Sequence, residues 1–373
     1  MSYLEELTRD QFLSSIANQR TRESYETALN QFDEFCKNSF EKKGDVVIID
    51  LRNHIRESQD GSGVYRLLQS FVNWLNEDHP ELSIKSRNHS RPMTKRHPST
   101  IKHYVSCIKL YVEEFGNIDI IDRKYQKRVK IPKKPKEELE PFTRNEIRDL
   151  IDHSSFDRKV LYMTLKDSGM RIGEAVQIRK CHVDLTKNPV EIHVPANITK
   201  TKTSRTTFVT RETAPMLRKR LEKIQDNDLV FGKNENPKKA VVNEEMIFKW
   251  YRDKLGMTDR YESNNRHKKN LHSLRAFTST QIADVHGEEF AHGFIGHSKY
   301  LGQYIRRKEK IPEMYKRAEN RLMIYEQEII VENTDSEIDI LKKQVQRLIK
   351  ETIQQKEQLE IRNRFLEQKL LEK

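Results

Sequence analysis

Apolar residues recur at spacings of three and four along much of this chain. In TRESYETALNQFDEFCKN, which starts at Thr21, a capping-type opening is followed by Tyr25, Leu29, Phe32, Phe35 and Cys36, the pattern of an amphipathic helix. GVYRLLQSFVNWLNE (Gly63 to Glu77) and STIKHYVSCIKLYVEEF (Ser99 to Phe115) repeat that pattern. Together they predict a helical N-terminal domain over residues 1–122. Between the last two runs KSRNHSRPMTKRHP (Lys85 to Pro98) is polar and reads as a connecting loop.

The pattern then breaks. RKYQKRVKIPKKPKEELE (Arg123 to Glu140) carries Pro132 and Pro135 among dense Lys and Arg, which suits an extended linker over residues 123–140. Past it, PFTRNEIRDLIDH and DRKVLYMTLKDSG read as helices, VEIHVPA and residues 206–210 as short strands, and helices resume near Glu212. This predicts an α+β domain over 141–330. The tail, residues 336–373, places Ile338, Val345, Thr352, Leu359 and Leu366 one heptad apart, with Leu341 and Leu348 on the second seam before it degrades to Gln355, Arg362 and Lys369. Such a tail is either a coiled coil or a lone charged helix docked on the protein. The fold class expected is mainly α with a small β-sheet.

Charge sharpens this picture. The chain has 69 Lys and Arg against 57 Asp and Glu, a formal net charge of +12, which draws it to polyanions through counterion release. An anionic membrane competes with nucleic acid as partner, but no apolar run approaches the roughly 20 residues that span a bilayer, and the start MSYLEELTRD has no signal-like character. The expectation is a cytoplasmic, DNA-associated protein with no membrane partner. Double-stranded DNA then gives the basic segments a role. Arg87, Arg91, Lys95 and Arg96 in the first loop, and Lys268 and Lys269 in NNRHKKN, are candidate DNA contacts, with an ordinary solvated face as the bland alternative. Three scattered cysteines, Cys36, Cys107 and Cys181, suit neither a disulfide framework nor a zinc cluster.

Chemistry-bearing residues gather in the second domain. Arg171 opens RIGEAVQIRK, and Glu174 falls on the same face of that helix's first turn, where it would steady the guanidinium. His272 and Arg275 in HSLRAF are also three apart, and Gly296 and His297 in FIGHS precede Tyr300 and Tyr304. Each piece alone is commonplace on a solvated helix. Their order along the chain is not.

That order, with GMRIGEAVQI, a lysine in a β turn, HSLR, IGHS and a following tyrosine, resembles the catalytic domain of the tyrosine recombinase (integrase) family over roughly Pro141 to Met314. The N-terminal helices, with their T-x-x-S-Y start, are similar to that family's core-DNA-binding domain. The resemblance implies that Arg171 and Arg275 hold the nonbridging oxygens of a phosphodiester, a task that bidentate guanidiniums perform without a metal. His272 and His297 would bond the same phosphate or move a proton. The turn lysine that protonates the leaving 5′ oxygen is Lys202, with Lys200 as runner-up; either otherwise touches the DNA backbone. Tyr304 is the preferred nucleophile, in GQYIRR beside Arg306 and Arg307, although it lies closer to His297 than the family's usual tyrosine; Tyr300 and Tyr315 are the alternatives.

The implied reaction is reversible transesterification through a 3′-phosphotyrosine, with no metal and no cofactor, carried out by a homotetramer on two DNA sites and serving site-specific recombination or integration. Three other readings share some of these residues: a type IB topoisomerase, a catalytically inert DNA-binding relative, and a basic coiled-coil structural protein.

Overall fold

The structure, a computed structural model, describes residues 7–85, 90–135, 137, 140–297, 299–300, 302 and 309–325, with the backbone alone for 83–85 and 90–91. The described chain is mostly helical with small sheets, and its contacts divide it into two units, Met1–Glu138 with Tyr261–Arg266, and Leu139–Arg260 with His267–Lys373. The heptad-patterned tail, 336–373, lies outside the described residues.

The first unit opens with α1 (Arg9–Ser15), whose capping box pairs Thr8 and Gln11 reciprocally at 2.8 and 3.2 Å. Then follow α2 (Gln19–Phe40), α3 (Gly44–Ser58), α4 (Ser62–Leu75), α5 (Pro98–Glu114) and α6 (Asp122–Arg128). In α2 the apolar spacing is borne out: Leu29, Phe32, Phe35 and Cys36 are buried. They meet Phe71 and Trp74 of α4 and Ile108 and Tyr111 of α5 in one core. Each such side chain stabilises the unit by about 1.5–3 kcal/mol relative to its exposed state.

Two local expectations are corrected. The basic stretch from Lys85 is not all loop, because β1 (His79–Lys85) and β2 (Ser90–Met93) pair antiparallel in a hairpin, and buried Met93 ties it to the core. The stretch read as a linker begins as structure: α6 covers its first residues, Tyr125 packs on the core and Val129 is buried in it. Pro132 follows that helix, as its missing N–H requires.

In the second unit α7 (Arg144–Asp152) starts at a capping box of Thr143 and Glu146. Helix α8 (Phe156–Ser168) is buried along most of its length and stops at Gly169, which takes φ +60. A Cβ there would sit 2.7 Å from Cγ2 of Ile295, so both the turn and the packing demand glycine. The helix expected to open at Arg171 is a single turn, α9 (Ile172–Ala175), followed by a 3-10 turn at Lys180–His182.

Strands β3 (Val183–Asp184), β4 (Val190–Val194) and β5 (Arg205–Val209) form an antiparallel sheet in which Val194 faces Arg205. Helices α10 (Ala214–Leu221) and α11 (Pro237–Lys254) lead to α12 (Leu271–His286), α13 (Glu288–Phe294) and α14 (Ile311–Leu322). Helix α12 packs on α8, α13 and α14, and so brings the end of α8, the start of α12 and the end of α13 to one place. Among the described residues no helix is long and apolar enough to cross a membrane.

Candidate active site

The site begins where α8 ends. Gly169 reverses the chain, and Arg171 stands just before α9 with a partly exposed side chain. Its backbone N–H donates to Oε2 of Glu174 at 3.0 Å and its Nη1 to Oε1 at 2.9 Å. The predicted pairing of Arg171 with Glu174 is therefore present, made by one helical turn.

Glu174 is itself buried and holds a second cation. Arg205, the first residue of β5, donates from Nη2 to Oε2 at 2.7 Å and from Nη1 to Oε1 at 3.3 Å. Burial would raise the Glu174 pKa, but Arg205 and Arg171 overcome it and hold the carboxyl below its ordinary value. Arg205 escaped the sequence reading. The available signal was an arginine inside the alternating strand S-R-T-T-F-V, at a position that faces the core.

Helix α12 supplies the next pair. Asn270 caps it by accepting from the His272 N–H at 2.9 Å, and this sets His272 in the first turn with Arg275 one turn on. Arg275 is only 2% exposed. Its Nη1 donates to the Gly169 carbonyl at 2.6 Å; its buried Nη2 has no hydrogen-bond partner among the described residues. Burial, with Arg171 and Arg205 nearby, pulls its pKa down to about 9, so it remains a cation at neutral pH. His272 is lowered by burial, Arg275 and Arg171.

His297 is positioned by a helix ending. Gly296 takes φ +81 and donates its N–H to the Gly293 carbonyl at 3.0 Å, while the His297 N–H donates to the His292 carbonyl at 2.9 Å. These two bonds make a Schellman motif, which needs a residue free to adopt the left-handed conformation. The Gly-His dipeptide is thus a structural device for turning His297 back beside α13. Burial, Arg275, His292, Arg171 and His272 bring the His297 pKa down to about 4, so its ring is neutral at pH 7. The mutual electrostatic effects place Arg171, His272, Arg275 and His297 in one another's fields.

Lys202 lies in the β4–β5 connection with φ +53, exposed, its Nζ 3.4 Å from the Asn197 carbonyl; Lys200 is exposed in the same turn. Tyr304 lies outside the described residues. Tyr300 is half-buried and stacks on His292 at 5.3 Å. Tyr315 is 1% exposed, between Phe208 and Phe294, with its hydroxyl donating to the Asp167 carbonyl at 3.4 Å. It is packed as a core aromatic.

The expected DNA contacts separate. Lys95 is exposed. Arg96 is half-buried and donates to Oε1 of Gln31 at 2.7 Å. Arg87 and the Arg91 side chain lie outside the described residues. Lys269 is 8% exposed and donates to Oε2 of Glu146 at 2.9 Å and to the Pro141 carbonyl at 2.8 Å. Lys268 is paired with Glu140 at 2.6 Å.

Comparison with known proteins finds no match among curated proteins. Among solved structures the chain is similar to XerA recombinase, at 18% identity over 83% of this chain and 95% of that one, TM-score 0.36. It is also similar to the integrase of mycobacterium phage Brujita, at 14% identity over 86% and 91%, TM-score 0.39. A third likeness is to a lambda integrase dimer bound to a COC′ core site, at 12% identity over 87% and 79%, TM-score 0.45. The family model described as the phage integrase family matches residues 140–300, a span that includes both arginine boxes and the Gly-His turn.

Proposed function

We propose that this chain cuts and rejoins DNA strands at specific sites by tyrosine-mediated transesterification, in the service of recombination or integration. The observation that carries the reading is Arg275: a buried cation whose Nη2 has no hydrogen-bond partner among the described residues, beside Arg171 and two histidines, an arrangement that a further anion would complete. A phosphodiester supplies that anion. Its nonbridging oxygens would take the free donors of Arg275 and Arg171, and these contacts strengthen as the attacked phosphorus gathers charge.

In the first step the Tyr304 oxygen bonds to phosphorus and the bond from phosphorus to the 5′ oxygen breaks. The tyrosine proton passes to His272, and Lys202 gives a proton to the departing 5′-hydroxyl. A 5′-hydroxyl from a second duplex then attacks the phosphotyrosine and restores both the DNA and the enzyme. The bond energy is conserved, so no nucleotide cofactor is needed. Two cut duplexes require several protomers, which suits a homotetramer on two DNA sites, and the heptads of 336–373 suit self-association.

The test is covalent trapping. Purified protein with EDTA is incubated with a nicked suicide duplex carrying DNA that flanks the gene, and denaturing gels reveal protein–DNA adducts. An adduct in wild type, Tyr300→Phe and Tyr315→Phe that is lost in Tyr304→Phe is the expected result. No adduct on flanking DNA shown to be bound would overturn the proposal in favour of an inert DNA-binding relative. Plasmid relaxation without strand transfer would assign a topoisomerase instead.

A further inference from the structure

We propose that His292 is a positioning residue that donates a hydrogen from its Nδ1 to Nδ1 of His297, and so keeps the hydrogen of His297 on Nε2, where it can bond a phosphate oxygen. This rests on the reading of His297 as a phosphate donor given above. In a Schellman motif the residue two places past the C-cap folds back onto the residue that opens the last turn, and the two side chains usually make an apolar contact. Here those residues are His297 and His292, so the motif presses two imidazoles together.

The rings stack with centroids 4.8 Å apart and planes 23° from parallel, and their Nδ1 atoms are 3.0 Å apart. Two ring nitrogens at that distance share one hydrogen between them. A ring whose Nδ1 donates at that contact keeps its Nε2 bare while neutral, and a ring whose Nδ1 accepts carries its hydrogen on Nε2. His297 holds a single hydrogen, because burial and the cations Arg275 and Arg171 keep it neutral. A bare Nε2 would repel a phosphate oxygen. The hydrogen at the contact therefore comes from His292.

Glu288, one turn earlier on α13, brings Oε2 to 3.5 Å from Nε2 of His292, so an imidazolium at His292 would find an acceptor at each nitrogen, the carboxylate at Nε2 and His297 at Nδ1. Tyr300 covers the ring in a stack, centroids 5.3 Å apart, and limits its rotation. Family resemblance points to His297; only the geometry points to His292.

The experiment compares the full-length wild type with His292→Phe, which keeps the stacked ring and removes the nitrogens, and with His292→Asn, whose side-chain amide restores a donor near the same place. Nitrogen-15 NMR of the histidine rings, with and without the suicide duplex, reads the tautomer of His297. Adduct formation, duplex affinity and melting temperature are measured on the same samples. Wild type should carry the His297 hydrogen on Nε2, and His292→Phe should give mixed tautomers. The same variant should slow adduct formation about tenfold or more at unchanged duplex affinity, with His292→Asn within about threefold of wild type. A wild-type hydrogen on Nδ1 of His297, or a tautomer and adduct rate unmoved by His292→Phe, overturns the assignment. Absence of any adduct in wild type with the expected tautomer pattern would instead fault the recombinase reading and leave the histidine pair standing.

Discussion

Arg205 and Glu174 form a two-pronged ion pair whose closer contact is 2.7 Å, and both side chains are buried, at 1% and 2% exposure. The same carboxylate holds Arg171 at 2.9 Å. One acidic group therefore links the sheet to the chain reversal that presents Arg171, and its negative charge also acts on Arg275. Breaking a buried pair by removing one partner leaves an uncompensated charge at a cost of about 3–5 kcal/mol. Because Arg171 still pairs with the Glu174 left behind, Arg205→Met should lower unfolding stability by up to that amount in urea denaturation. Glu174→Gln should go further in function, because it also frees Arg171; adduct formation should fall more steeply than duplex affinity. Equal stability of Arg205→Met and wild type would show that the pair does not organise the site.

A second prediction concerns Gly296. Its φ of +81 and the hydrogen bonds of the Schellman motif exclude an ordinary residue without strain. A Cβ at this position would also lie 3.0 Å from Nη1 of Arg205, tighter than normal contact. Gly296→Ala should destabilise the protein by about 1–2 kcal/mol from the left-handed backbone alone, and displacement of His297 should reduce adduct formation further. Chemical denaturation measures the first and the suicide-substrate gel the second. An alanine variant with wild-type stability would contradict the backbone argument.

How far the sequence disclosed this site depends on what each residue's neighbours are. Arg171, Glu174, His272, Arg275, Gly296 and His297 were legible because local chain order carries them: each pair shares a turn of helix or a helix ending. The strands β4 and β5 were legible from alternation. Arg205 was not, since its partner lies 31 residues earlier and only the fold brings them together. Nor was His292, whose adjacency to His297 depends on a reversal at Gly296 rather than on helical spacing. The hairpin β1–β2 was missed because its sequence is polar and basic, and strand pairing there rests on backbone bonds and buried Met93 rather than on an apolar run. The helix turn that pairs Arg171 with Glu174 was legible, and the chain leaves the helix after Ala175.

Acid should destabilise the second unit in two stages. His297 falls from an ordinary 6.5 to about 4 in the folded protein, so between those values the unfolded chain binds the proton and the folded one does not. Stability from this group is full above about 6.5 and is lost as pH falls toward 4. Glu174 is also lowered, from 4.5, so its contribution is present above that value and lost only at lower pH. Melting temperature followed from pH 7.5 down to pH 4 should decline through the first window, and His297→Gln should flatten the decline there while leaving the steeper fall at lower pH. A His297→Gln profile that parallels wild type throughout would assign the first window to other groups.

The two basic residues Lys95 and Lys269, alike in sequence as members of positive clusters, should separate in experiment. Lys269 is buried between Glu146 and the Pro141 carbonyl, with Nζ 5.4 Å from the centre of the Phe142 ring, and anchors the segment before α12 to the start of α7. Its replacement by Met removes the partner of a carboxylate that also caps α7 through Thr143. Lys95 is exposed, and its backbone N–H donates to Oδ1 of Asp78 at 2.8 Å. Lys269→Met should therefore lower melting temperature and leave the salt dependence of duplex binding as in wild type, whereas Lys95→Ala should leave stability unchanged and reduce the slope of log affinity against log salt by about one. Binding isotherms at several salt concentrations, paired with thermal denaturation of both variants, measure this. If Lys95→Ala leaves the slope untouched, the exposed hairpin side of the first unit does not meet the DNA backbone at that residue; if Lys269→Met reduces the slope without loss of stability, the buried pair opens on binding and the lysine reaches the phosphate after all.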